Sequence, residues 1–208
     1  MPLARVFFIA LSAFLHVSCS APLPRPADAQ LQQLWEQHEA ALLPIRHWEL
    51  RGRLAISADD PGGQATLVWR RDGTRHGLRL SGPLGRGLLQ LTQDESGAQL
   101  QDAEQRVLYA PSAEELLFRY SGWRLPVENL NYWVRGLPVP GVAMEQELDD
   151  SGQLKTLRQE AWEVQYQEYV LVDGRNLPRR LSLSNPRKTA GQPAMQVRLV
   201  IERWAQVQ

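Results

Sequence analysis

What most narrows the fold of this chain is a period of two that starts at Trp48 and returns in segment after segment up to residue 204. Trp48, Leu50, Gly52, Leu54 and Ile56 alternate with Glu49, Arg51, Arg53, Ala55 and Ser57, the pattern of a long strand with one buried and one wetted face. Asp59-Asp60-Pro61-Gly62-Gly63 reads as a turn, Ala65, Leu67 and Trp69 alternate next, and Asp72-Gly73 marks a hairpin. Strands are expected at 77–80, 87–92, 98–101 and 106–109, then at 153–159, 162–170, 179–184 and 195–204. Apart from the helical stretch between 109 and 153, their connections are too short for the crossovers that parallel strands need. The expected fold class is therefore mainly β: about ten strands in one antiparallel sheet, curled or barrel-like, with helices on one side.

Helical spacing occupies the remainder. Leu31, Leu34, Trp35, His38 and Leu42 recur every three to four residues between Gln30 and Ile45, and Pro44 ends the run. Ser112-Ala113-Glu114-Glu115 is a capping box, so a helix should continue through Leu116, Leu117 and Tyr120. Pro126 suits the first turn of another, whose Leu130, Trp133 and Val134 share a face before Gly136.

The first residues speak to location. After Arg5, the apolar run Val6–Leu15 is too short to span a bilayer core of about 30 Å but has the length of a secretory signal core. Cys19, the only cysteine, follows directly, between Val17-Ser18 and Ser20-Ala21-Pro22. This arrangement resembles a bacterial lipobox, with His16 where Leu is usual. It implies a signal peptide over 1–18, cleavage before Cys19, and an N-acyl and S-diacylglycerol lipid on Cys19 as the covalent addition, with no other cofactor. An ordinary signal peptide with a chance cysteine is the alternative. Ser20 rather than Asp after the cysteine fits outer-membrane sorting. Pro22, Pro24 and Pro26 make residues 19–29 an extended tether, leaving 30–208 as a single domain.

Chemistry is mostly excluded. Lys+Arg and Asp+Glu balance at 23 each, so no electrostatic footprint for nucleic acid exists. The basic residues include only two lysines, Lys155 and Lys188, and neither follows a glycine, so a lysine-bearing phosphate loop is ruled out. A single cysteine excludes a disulfide framework and a thiolate zinc site. His38-Glu39 begins no HExxH, because Leu42 stands where the second His belongs, and no Ser sits in G-x-S-x-G. His38, His47 and His76 lie on unlike segments, and Asp149-Asp150 abuts Ser151-Gly152 as a turn. The chain reads as a binding or structural protein, not an enzyme.

Seven tryptophans, at 35, 48, 69, 123, 133, 162 and 204, supply much apolar area to one inward face. Each alone fits a plain core; together, beneath helices, they also fit a widened apolar cavity. Leu84 stands between Pro83 and Gly85 at a tight turn, where it has little chance of burial and should project into solvent. On a membrane-tethered protein such a tip reads as a bilayer probe.

Trp48-x-x-Arg51-Gly52-Arg53-Leu54-Ala55-Ile56, Trp69 before Arg-Arg-Asp-Gly, Leu80-Ser81-Gly82-Pro83-Leu84-Gly85, Ser112–Leu117 and Trp133-Val134-x-Gly136-Leu137-Pro138 follow in order, ending near Trp204. Taken together, these stretches resemble the LolB family of outer-membrane lipoproteins over nearly all of residues 30–205. The resemblance implies an unclosed β-barrel capped by helices on its concave side, with an apolar cavity for acyl chains. Trp69, Leu116, Leu130 and Trp133 are its expected lining. It implies that Pro83-Leu84-Gly85 inserts into the membrane, that triacylated lipoproteins are accepted from the periplasmic carrier LolA, and that they pass to outer-membrane phospholipid. A monomer anchored in the outer membrane and facing the periplasm is expected. Two other classes stay open: a structural outer-membrane lipoprotein, such as an assembly scaffold, with a filled core, and a periplasmic hydrolase with dispersed catalytic residues. A hollow interior favours the first reading, and convergent polar groups in a cleft would favour the last.

Overall fold

The computed structural model describes residues 26–58, 62–82, 88–186, 194–205 and 207–208. The signal segment 1–18, Cys19 and the insertion residues Pro83, Leu84 and Gly85 lie outside the described residues. Eleven strands are present: β1 (His47–Ser57), β2 (Gly63–Asp72), β3 (Arg75–Ser81), β4 (Leu88–Asp94), β5 (Gly97–Gln101), β6 (Val107–Ala110), β7 (Met144–Leu148), β8 (Leu154–Gln159), β9 (Trp162–Val172), β10 (Arg175–Asn185) and β11 (Met195–Ala205). They form one sheet in the order β6-β5-β4-β3-β2-β1-β11-β10-β9-β8-β7. Every neighbouring pair is antiparallel. The two edges, β6 and β7, do not pair with each other, so the sheet is not closed.

The chain passes from one edge to the other through α2 (Ala113–Ser121) and α3 (Val127–Trp133). The Ser112 hydroxyl accepts from the Glu115 N–H at 3.2 Å, starting α2 where the capping box places it. Gly122, left-handed at φ 76°, ends α2 by donating its N–H to the Phe118 carbonyl. α2 lies against β4, β5 and β6, while α1 (Pro26–Leu42) lies against β10. No helix among the described residues is long and apolar enough to cross a membrane.

The inward face follows the alternation closely. On β11, Met195, Val197, Leu199 and Ile201 are buried while Arg198 and Glu202 are exposed. The register of β1 against β11 shifts between Arg51 and Gly52, and Glu202 is the extra residue. At that bulge a Cβ on Gly52 would lie 2.3 Å from the Val200 carbonyl oxygen, so only glycine fits the approach.

Three sequence expectations need correction. β7 is absent from them because Met144-Glu145-Gln146-Glu147-Leu148 is a charged edge strand with no apolar alternation to read. Residues 26–29, expected in the extended tether, form the first turn of α1. Proline is tolerated there because its missing N–H would have no helical partner, and Asp28 favours the positive end of the helix dipole. β10 starts at Arg175 rather than 179. Pro178 is accommodated because 175–178 pair with β9 alone, the register shifts at Arg179, and β11 joins only from Arg180 onward.

Candidate functional site

The interior of the curl is filled at one end and hollow at the other. At the filled end Trp48 meets Trp69 and Trp204 edge-on, with ring centroids 5.2 and 5.6 Å apart, and all three are buried. At the hollow end lies a cavity of about 160 Å³. Its sheet wall includes Leu54 and Ile56 of β1, Leu67 and Trp69 of β2, Leu78 and Leu80 of β3, Leu89 and Leu91 of β4, and continues on the other side of β1 with Val197 and Leu199 of β11 and Leu183 of β10. Its roof is Leu117, Tyr120 and Ser121 of α2, Trp123 and Leu125 of the link, Val127 and Leu130 of α3, and Val134. The surface it presents is wholly apolar. β3 leaves this region at Ser81 and β4 re-enters at Leu88, so the Leu84 segment connects two strands of the cavity wall.

Of the expected lining, Trp69 and Leu130 face the cavity, whereas Leu116 and Trp133 do not. Both of the latter are fully buried as packing. On α2 the wall residue is Leu117, one position beyond Leu116, which is about 100° around the helix. Trp133 is turned toward β8, where its Nε1–H donates to Gln159 Oε1 at 3.0 Å. Trp123, half-buried in the link between α2 and α3, is the tryptophan that joins Trp69 in the wall.

The roof is held unevenly. Gln93 of β4 donates to Glu128 of α3 at 2.5 Å and accepts the Ala113 N–H at 2.7 Å. The His76 ring, itself buried, has Nε2 3.6 Å from Glu128. These contacts, led by the bond with His76, hold the Glu128 carboxyl below the ordinary carboxylate range. Asn129 reaches Glu160 at 3.2 Å, and the Tyr166 hydroxyl donates to the Trp133 carbonyl at 3.0 Å. Burial drives the Tyr166 pKa far up, so this hydroxyl is always a donor.

Arg135, just past α3, donates from Nη1 to the Leu42 and Ile45 carbonyls at 3.3 and 3.1 Å, clamping the end of α1. Burial, with Arg71 and Arg46 nearby, lowers its pKa to about 10, which leaves it charged at neutral pH. By contrast, from Leu117 to Leu125 the side-chain hydrogen bonds to the sheet reduce to Arg119 reaching the Tyr109 carbonyl at 3.5 Å, among the described residues. None of the buried titratable groups among the described residues, Arg71, His76, Asp102, Arg135 and Tyr166, lines the cavity.

Comparison with known proteins gives this architecture relatives. A family profile described as "Outer membrane lipoprotein LolB" matches residues 46–204. A protein named "Outer-membrane lipoprotein LolB" from Nitrosococcus oceani is 35% identical over 206 residues, covering 98% of each chain. Its namesake from Pseudomonas aeruginosa is 38% identical over 200 residues, covering 95% of this chain and 94% of that one. Among solved structures, a LolA superfamily protein from Nitrosomonas europaea superposes with a TM-score of 0.52 at 8% identity, covering 84% of this chain and 92% of that one. That last likeness concerns the fold alone. With the family profile spanning the sheet from the start of β1 to the end of β11, the chain belongs to the LolB family of outer-membrane lipoproteins.

Proposed function

We propose that the protein is an outer-membrane lipoprotein receptor: it accepts acylated lipoproteins from a LolA-type periplasmic carrier and passes them into the inner leaflet of the outer membrane. It works as a binding protein and not as an enzyme, as a monomer, held to the membrane by a lipid on Cys19 with residues 19–25 as tether. The observation that carries this reading is the wholly apolar cavity under α2 and α3. A structural scaffold has no use for such a space, and a hydrolase would need polar groups in it.

The physical demand is simple. Each methylene of a lipoprotein anchor exposed to water costs about 0.8 kcal/mol, so releasing three acyl chains into the periplasm is prohibitive. Transfer must run from one apolar pocket to the next, each step downhill, since the sequence carries no phosphate loop to drive it. A cavity of about 160 Å³ is of the size that takes one benzene-sized guest, so it holds only a short stretch of chain at rest. Taking a whole anchor requires the roof to move outward. Its weakly tied part, from Leu117 to Leu125, is the part able to do so.

Leu84, on the segment joining β3 and β4, would then lower the barrier for release into the bilayer. A carrier loaded with lipoprotein, mixed with the protein on vesicles, separates the two stages. Leu84→Glu should receive lipoprotein as the parent does and deliver at least tenfold less to the membrane. Undiminished delivery would remove Leu84 from the mechanism.

A further inference from the structure

The chain's net charge is zero, yet its convex face is not neutral. Arg79 of β3, Val68 of β2, Arg51 of β1 and Arg203 of β11 are successive cross-strand partners, so one row across four strands carries three exposed guanidiniums. Arg51 and Arg203 stand directly opposite each other. Like charges opposed in this way work against the sheet, so nothing in folding calls for them. Arg53 and Arg198 occupy the following rows of the same face.

Of these five, only Arg53 has a carboxylate, Glu202 at 2.7 Å, and Arg198 meets only the Gln196 amide, among the described residues. A shallow groove runs between Arg51, Arg53 and Arg198 and continues past Thr66 to Ser81 and Gly82. Gly82 is where the segment bearing Leu84 departs.

We propose that this arginine face is a docking surface for the phosphate groups of anionic phospholipids at the membrane. All the cations are arginines, whose planar fork matches phosphate oxygens two at a time, and a broad sheet face suits a surface better than a peptide. The groove reaches Gly82, the last described residue before the segment that carries Leu84, so the face lies next in sequence to the expected membrane contact. The face would hold the cavity beside the headgroups while a lipoprotein leaves. The inference rests on the membrane reading of the Leu84 segment for its orientation only.

The test uses the full chain carrying C19S, which cannot be acylated, floated with vesicles of phosphatidylcholine alone or of phosphatidylcholine with phosphatidylglycerol. The parent should prefer the anionic vesicles, and R51Q/R203Q should weaken that binding about thirtyfold while leaving neutral vesicles unchanged. Molar salt should erase the difference. Neither arginine reaches the cavity, and the substitution removes a repulsion, so the fold is retained. Equal binding of parent and double variant to anionic vesicles overturns the proposal. So does loss of receipt from the carrier with vesicle binding intact, which would assign the face to an acidic protein. Delivery by Leu84→Glu is read separately, so either reading can fail alone.

Discussion

Gln159 is 1% exposed and spends one amide on four hydrogen bonds. Its Oε1 accepts from Trp133 Nε1 and the Val139 N–H, and its Nε2 donates to the Val139 and Val142 carbonyls at 3.1 and 3.3 Å. The residue thus ties β8 to the end of α3 and to the chain leading into β7. Gln159→Leu strips partners from groups on two segments, and urea unfolding should register a loss of about 2–4 kcal/mol. A change below 1 kcal/mol would mean that water replaces the amide. The sequence offers a faint sign of this residue, a polar side chain two positions after Leu157 on the inward register of a strand. Its partners come from 17 to 26 residues upstream and cannot be read from periodicity. The same limit explains Leu116: helical spacing finds the buried face of α2, but not which of two adjacent leucines meets empty space.

Among the elements, α1 is the most conditional. It is held by Trp35, His38 and Leu42 and by the Arg135 clamp at its end. The His38 ring sits 6.0 Å from that of Trp35 and 6.2 Å from that of Tyr169, and its Nε2 has no hydrogen-bond partner among the described residues. Burial lowers its pKa, with Asp149 partly opposing. A base with a lowered folded pKa is protonated first in the unfolded chain. Stability is then full above the unfolded value of about 6.5 and declines as pH falls below it. Melting followed between pH 8 and 5 should therefore slope downward, and His38→Gln should flatten that slope; an unchanged slope would place the titrating group elsewhere. Most elements were legible because caps, turns and alternation are local: the Ser112 box, the Asp72-Gly73 hairpin and the rows of β1 and β11. β7 was not, since an edge strand needs charge for protection and charge hides the pattern.

For the molecule as a whole, alternation dictates an inward face but does not say whether that face is filled. The tryptophans illustrate this. Trp48 plugs one end through edge contacts with Trp69 and Trp204, whereas Trp69 and Trp123 also border the hollow end among leucines that no spacing distinguishes from ordinary core. Filling that space tests its use. Leu117→Trp should cost about 1–3 kcal/mol of stability and reduce binding of an apolar fluorescent probe at least tenfold, whereas Leu43→Trp at an exposed site should leave probe binding alone. Equal probe binding by both variants would place the guest outside the cavity.

The strand order has a consequence for how the molecule comes into being. β1, the first strand, and β11, the last, lie side by side in the middle of the sheet, and His47 and Gln208 exchange backbone hydrogen bonds there. Until residues 195–205 emerge, the ten earlier strands are two separate ribbons with no shared seam. Such a sheet cannot be completed before its final strand slots home, so its central seam is a long-range pairing that forms late in folding.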